Sequence, residues 1–129
     1  MTRATLLLLL ALSLPALALD CSRQETEGAA RACSGQRLKD ADKKLNEAYR
    51  TLLKRFDTQQ QTMLRASQRA WLGYRDAQCR MVASGVDGGS AQPMVTADCL
   101  GDLTLARLKE LNFQLACREG DMSCLAPKH

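Results

Sequence analysis

Histidine is almost missing from this 129-residue chain: the only one, His129, is the last residue, where no neighbouring element holds its ring in a productive geometry. General base catalysis by histidine is thereby excluded. Aromatics are scarce as well, with one Trp, two Tyr and two Phe, and the Lys and Arg residues alternate with acids instead of gathering on one stripe. Nucleic acid is not the expected partner, because its binders cluster cations with interleaved aromatics. No apolar run approaches the roughly 20 residues of a membrane-spanning helix. The run from Leu6 to Leu14 stops at Pro15. Gly88-Gly89 lacks a following Lys-Ser or Lys-Thr and a preceding strand, so it reads as a flexible turn and not as a phosphate loop.

What is present begins with an export signal. Arg3 supplies a positive start, the apolar run follows, and Ala16-Leu17-Ala18 forms a small-x-small cleavage site. Residues 1–18 are read as a signal peptide and 19–129 as a single domain. Cleavage after Ala18 lowers the formal net charge of +4 by one, the charge of Arg3. Asp20 precedes Cys21 where lipid-attachment signals place a small neutral residue, so no stable membrane anchor is expected after cleavage. The six cysteines, Cys21, Cys33, Cys79, Cys99, Cys117 and Cys124, all lie beyond the cleavage site. In an oxidising compartment they read as three disulfides, which leaves no thiolate nucleophile and no Cys or His metal cluster. Neither cofactor nor metal is expected, and the chain is read as periplasmic or secreted.

Periodicity predicts an all-α fold. From Glu25 to Phe56 there is no proline, and Leu38, Asp42, Leu45, Tyr49, Leu52 and Phe56 recur at spacings of four and three. This is one long amphipathic helix, with Thr26 placed to cap it. Asp57-Thr58 interrupts the pattern, and Thr58 is read as the cap of a second helix running to about Ala83. Its inward face is Leu64, Gln68, Trp71, Arg75, Gln78 and Val82. Ser84 to Pro93, SGVDGGSAQP, is a loop. A third helix from about Thr96 to Leu115 turns Leu100, Leu103, Thr104, Arg107, Leu108, Leu111 and Leu115 inward. The expectation is a small disulfide-stapled bundle, a long antiparallel helical hairpin plus a third helix.

Across a hairpin that turns near Asp57, facing residues have numbers summing to roughly 114. Asp42 and Arg75 satisfy this and predict a partly buried ion pair, with the carboxylate taking the guanidinium in bidentate fashion. Cys33 and Cys79 satisfy it too. The favoured connectivity is therefore Cys33 with Cys79 and Cys21 with Cys99, while Cys79 with Cys99 and Cys21 with Cys33 is not excluded by spacing. Cys117 and Cys124 close a local loop, CREGDMSC. The acid pairs Asp40/Asp42 and Asp98/Asp102 are read as dipole or salt-bridge partners and not as glycosidase carboxylates, so no catalytic residue is assigned.

Several motifs together resemble a known family. ADKKLNEAY (Ala41 to Tyr49), LRASQRAWLGYRDAQC (Leu64 to Cys79), GGS (Gly88 to Ser90), Cys99 and LTLARLKEL (Leu103 to Leu111) are similar to the N-terminal domain of the LprI-type lysozyme-inhibitor-like family. The likeness spans about Thr26 to Leu111. It includes the polar members Asp42, Asn46, Gln68, Arg75, Asp76, Thr104 and Arg107. The resemblance implies a bacterial envelope protein with a protein partner, a lysozyme, that is blocked without catalysis. Asp42, Asn46, Gln68, Arg75 and Arg107 are read as a structural polar core, so they carry no inhibitory site. The candidates for partner binding are instead two loops, Asp87, Gly88, Gly89 and Ser90 in one, Arg118, Glu119 and Asp121 in the other, with a plain structural cap as the other reading of CREGDMSC. The alternative is a periplasmic structural or interaction module with no lysozyme activity.

Overall fold

The computed structural model describes residues 20–118 and 120–125. The predicted signal peptide therefore lies outside the described residues, as does Glu119. The element order is α1 (Glu27–Arg55), α2 (Thr58–Ala83), a 3-10 turn (Ser84–Val86) and α3 (Gln92–Leu115). Among the described residues there is no strand.

Thr26 caps α1 by accepting a hydrogen bond from the Ala29 N–H at 3.1 Å. The helix ends where Phe56 turns extended, at φ −90° and ψ 146°. The second cap differs from expectation: it is Asp57, not Thr58. Asp57 has the extended backbone an N-cap requires, and its carboxylate accepts from Gln60 N at 2.8 Å while the Gln60 side chain accepts from Asp57 N at 3.2 Å. That reciprocal box leaves Thr58 as the first helical residue. The helical reversal is further latched by Gln61 Nε2, which donates to the Phe56 carbonyl at 3.0 Å.

The connection to α3 is shorter than the sequence suggests. The helix begins at Gln92, four residues before Thr96, with Pro93 inside its first turn. Proline is tolerated there because a first-turn N–H has no intrahelical partner to lose.

The three helices run up, down and up. The Arg31 guanidinium donates to the Ser90 carbonyl at 3.2 Å at one end of α1, and Arg55 donates to the Leu115 carbonyl at 2.9 Å at the other. α1 and α3 are therefore parallel. Their axes come close because small residues face each other: Ala41, Ala48, Gly101 and Thr104 are all buried. A Cβ on Gly101 would sit 3.7 Å from the Leu38 Cα. α2 also packs on α3, whereas α1 and α2 approach each other least closely despite their short connection. The apolar core gathers Leu45, Leu52, Phe56, Leu64 and Leu111, flanked by partly buried Tyr49, Trp71 and Leu108.

Two expectations about α2 need correction. Val82 is exposed, and the stripe is closed instead by the buried Cys79 and Ala83. The disulfides are Cys21–Cys33, Cys79–Cys99 and Cys117–Cys124, with Cα separations of 5.5, 5.6 and 5.5 Å. The favoured Cys33–Cys79 bridge is thus overturned together with Cys21–Cys99. Facing numbers do not suffice here, because α1 and α2 diverge and Cys79 sits on the stripe turned toward α3.

Candidate functional site

Two arginines tie the helices together. The Arg75 side chain is 14% exposed; its NH1 donates to Asp42 Oδ1 at 3.1 Å and to Thr104 Oγ1 at 3.2 Å, and its Nε donates to Asp76 Oδ1 at 3.0 Å. One guanidinium so engages α1, α2 and α3, and it lies 5.2 Å from the centroid of the Trp71 ring. The predicted bidentate grip by Asp42 is not what forms, because Asp76 takes the second edge of the fork. Arg107, 13% exposed, donates to Gln68 Oε1 at 3.2 Å, to Ser67 Oγ at 2.8 Å and to Glu110 Oε2 at 2.7 Å. Asn46 does not belong to this core. It is exposed, its side chain hydrogen-bonds no other described residue, and it lines a cleft between α1 and α2.

The acid pairs are engaged by cations or amides. Arg37 reaches Asp98 at 3.6 Å and also binds Asp102, while Asp40 accepts from Gln36 at 2.9 Å. Among the described residues no group of three or more His, Cys, Asp or Glu is disposed to hold a metal ion, and no helix is long and apolar enough to cross a membrane.

The two candidate loops lie at opposite ends of the bundle. The turn with Asp87, Gly88, Gly89 and Ser90 sits beside the start of α1, whose Arg31 binds Ser90. The Cys117–Cys124 loop follows the end of α3, where Arg55 of α1 docks. With 29 residues in α1 and about 1.5 Å of rise for each, they stand roughly 40 Å apart. They cannot form one contact surface.

The first loop is largely occupied with itself. Gln92 brackets it, donating to Asp87 Oδ1 at 2.7 Å and accepting from Gly88 N at 3.1 Å, and Gly88 takes the left-handed φ of 73° that suits glycine.

The second loop is held differently. Asp121 Oδ1 accepts from the Ser123 hydroxyl at 2.5 Å and from its N–H at 2.9 Å. Those two bonds, the hydroxyl's foremost, hold the Asp121 carboxyl below its ordinary value. Gln114 of α3 fixes the return by donating to the Ser123 carbonyl at 3.2 Å and accepting from Leu125 N at 2.9 Å. Arg118 is exposed, and its side chain has no partner among the described residues. Met122 is fully exposed at the tip. Met63, Phe113 and Leu125 are also exposed large apolar residues, and Met63 and Leu125 line one small cleft with Phe56. Sequence reasoning missed Met63 and Met122. Neither falls on a helical stripe, and an isolated methionine gives no periodic signal.

The profile of a family described as "Lysozyme inhibitor LprI" matches residues 20–111. An uncharacterized protein of Rhizobium meliloti (strain 1021) is 32% identical over 105 residues, covering 71% of this chain and 76% of its own. The uncharacterized protein YecT of Escherichia coli (strain K12) is 37% identical over 68 residues, covering 44% of this chain and 42% of its own. No solved structure gives a significant match. The matched segment holds all three helices up to Leu111, both arginine nodes and the first four cysteines, and leaves out the Cys117–Cys124 loop. On this match the chain belongs to the LprI lysozyme inhibitor family, a family named for inhibition and not for catalysis.

Proposed function

We propose that this protein is an exported envelope protein, periplasmic or secreted, that binds a lysozyme and blocks its cleft without turning anything over. Residues 1–18 direct export and residues 19–129 are the working unit. Export is supported by the pairing of all six cysteines, a state that persists in oxidising compartments.

The observation that carries the binding reading is the end of the bundle at Cys117–Cys124. A short covalently closed loop presents the side chains of Met122 and Arg118 to solvent, beside the exposed Met63 and Leu125. A loop already closed loses less entropy on binding than an open one. Apolar side chains grip by burial, and an unpartnered guanidinium suits a partner whose cleft carries two carboxylates, as glycosidase clefts do. Asp87 and Asp121 contribute less to such a contact, because Gln92 and Ser123 already engage them.

The net charge sets a condition on the partner. A chain with a positive excess is not steered toward a strongly basic lysozyme, so affinity rests on the local contact and association is slow at low salt. The test is a titration of mature, disulfide-intact protein into a lysozyme assay on suspended cell walls. Retarded clearing at micromolar protein is the expected result. Clearing that proceeds unchanged with every lysozyme class would overturn the proposal and leave an envelope interaction module.

A further inference from the structure

We propose that the cleft between α1 and α2 is a binding site for a sugar acid, a saccharide of one or two rings bearing a single carboxylate. The cleft exists because α1 and α2 each pack on α3 more closely than on one another. It opens to solvent and encloses about 490 Å³, within the range of small-ligand sites.

Its charge is unbalanced. Arg65, Arg69 and Arg75 line it, against one acid, Asp42. The charge of Arg75 is already answered by Asp42 and Asp76. Arg65 and Arg69 have no ion-pair partner among the described residues, and α2 offers no other acid, because Asp76 is the only one between Thr58 and Ala83. Like charges four residues apart on a helix repel. A carboxylate held between the two guanidinium groups removes that repulsion and gains charge-assisted hydrogen bonds.

The remaining walls select for a ring. Tyr49 and Leu72 give carbon surface for the apolar face of a sugar. The Asn46 amide is exposed and unbonded, and the Gln68 amide oxygen is taken by Arg107 while its NH2 has no partner among the described residues, so two amides are available to ring hydroxyl or acetamido groups. A larger cleft of about 690 Å³ against α1 and α3 has no such excess, because Arg37 and Lys44 there stand with Asp40 and Asp98.

This site is separate from the Cys117–Cys124 loop, so the two proposals fail independently. The test is an amide-resolved NMR titration of the mature protein with N-acetylmuramic acid, N-acetylglucosamine and inorganic phosphate. The first two share the acetamido ring and differ by a carboxylate-bearing ether. Expected are saturable shifts at Asn46, Tyr49 and Arg69 with the sugar acid at millimolar concentration, weakening as salt rises, and at least tenfold weaker binding of N-acetylglucosamine. The Arg65→Gln/Arg69→Gln double variant should lose tenfold or more in affinity at an unchanged melting temperature, and inhibition of lysozyme should be unaffected. Equal binding of the neutral sugar, retained affinity in the double variant, shifts confined to other surfaces or no shifts at all would each overturn the proposal. Phosphate binding as tight as that of the sugar acid would overturn the selection for a ring.

Discussion

Arg75 and Asp42, 33 positions apart in the chain, meet at 3.1 Å in a contact that Asp76 and Thr104 extend across all three helices. The two ends are unequal: the Arg75 side chain is 14% exposed and that of Asp42 is 42% exposed. Removing the buried end leaves two carboxylates without their cation and takes the charge from beside Trp71. Arg75→Met should therefore cost about 1 to 3 kcal/mol, below the value for a fully buried pair because water still screens the acids. Asp42→Asn should cost less, since Asp76 remains bonded. Urea unfolding of the two variants compares them directly, and an unchanged midpoint for Arg75→Met would show that the guanidinium stabilises nothing.

Gly101 gives a second, steric test. It is buried where α3 crosses Leu38, yet an added Cβ would meet its nearest atom at 3.7 Å, an ordinary contact distance. Gly101→Ala should thus be tolerated, and should stabilise by about 0.5 to 1 kcal/mol as the helix interior loses a glycine. Gly101→Leu has nowhere to place its branch and should destabilise by about 1 to 3 kcal/mol. Thermal unfolding with opposite signs for the two variants is the expected outcome, and a loss with alanine would mean that the helices sit closer still.

The helices themselves were legible because their apolar residues keep a strict three-and-four spacing, and because a charge such as Arg75 on an apolar stripe must find a partner. What was not legible depended on the third helix. Cys33 and Cys79 suit each other in a two-helix reckoning, but α3 draws Cys79 to Cys99 and frees Cys33 for Cys21. Asn46 is placed in the polar core by the family resemblance and not by the apolar spacing, and the divergence of α1 from α2 leaves it on an open cleft. The separation of the two candidate loops, by contrast, was legible: they flank α3, and a helix of 24 residues holds its two ends apart whatever it packs against.

The disulfides should differ in weight. Cys79–Cys99 closes a sequence separation of 20 and Cys117–Cys124 one of 7. If each acts through the entropy of the unfolded chain, the longer closure contributes roughly 1 kcal/mol more. Paired alanine substitution of each bridge, followed by urea unfolding, should show the larger loss for Cys79–Cys99. Peptide mapping without reduction should recover Cys21 linked to Cys33, and a Cys33–Cys79 peptide would refute the fold's end geometry.

Asp20 and Asp121 form matching turns, each accepting from the hydroxyl and the N–H of the serine two residues on. Serine hydroxyl first and backbone N–H second, these bonds lower both carboxyls below the ordinary 3.8. A depressed acid adds stability above its unfolded value and loses it as pH falls through the folded value. Both turns should therefore persist at neutral pH and loosen only in acid below the usual carboxylate range. The Ser22 and Ser123 amide resonances should titrate with midpoints under 3.8; midpoints at or above it would show the turns to be open in solution.

The inhibitory reading turns on Arg118, the charged side chain of the described C-terminal loop that no other described residue engages. Arg118→Glu reverses its sign without touching the Cys117–Cys124 bridge or the Gln114 bonds that hold the loop. If the guanidinium faces the carboxylates of a lysozyme cleft, the reversal replaces attraction by repulsion and should raise the half-inhibitory concentration at least tenfold, equivalent to about 1.4 kcal/mol. Met122→Ser should weaken inhibition by a smaller factor that does not change with salt, since what it removes is apolar burial. Should both variants inhibit as well as the parent while the Asp87–Ser90 turn, altered in parallel, abolishes inhibition, the contact lies at the opposite end of the bundle.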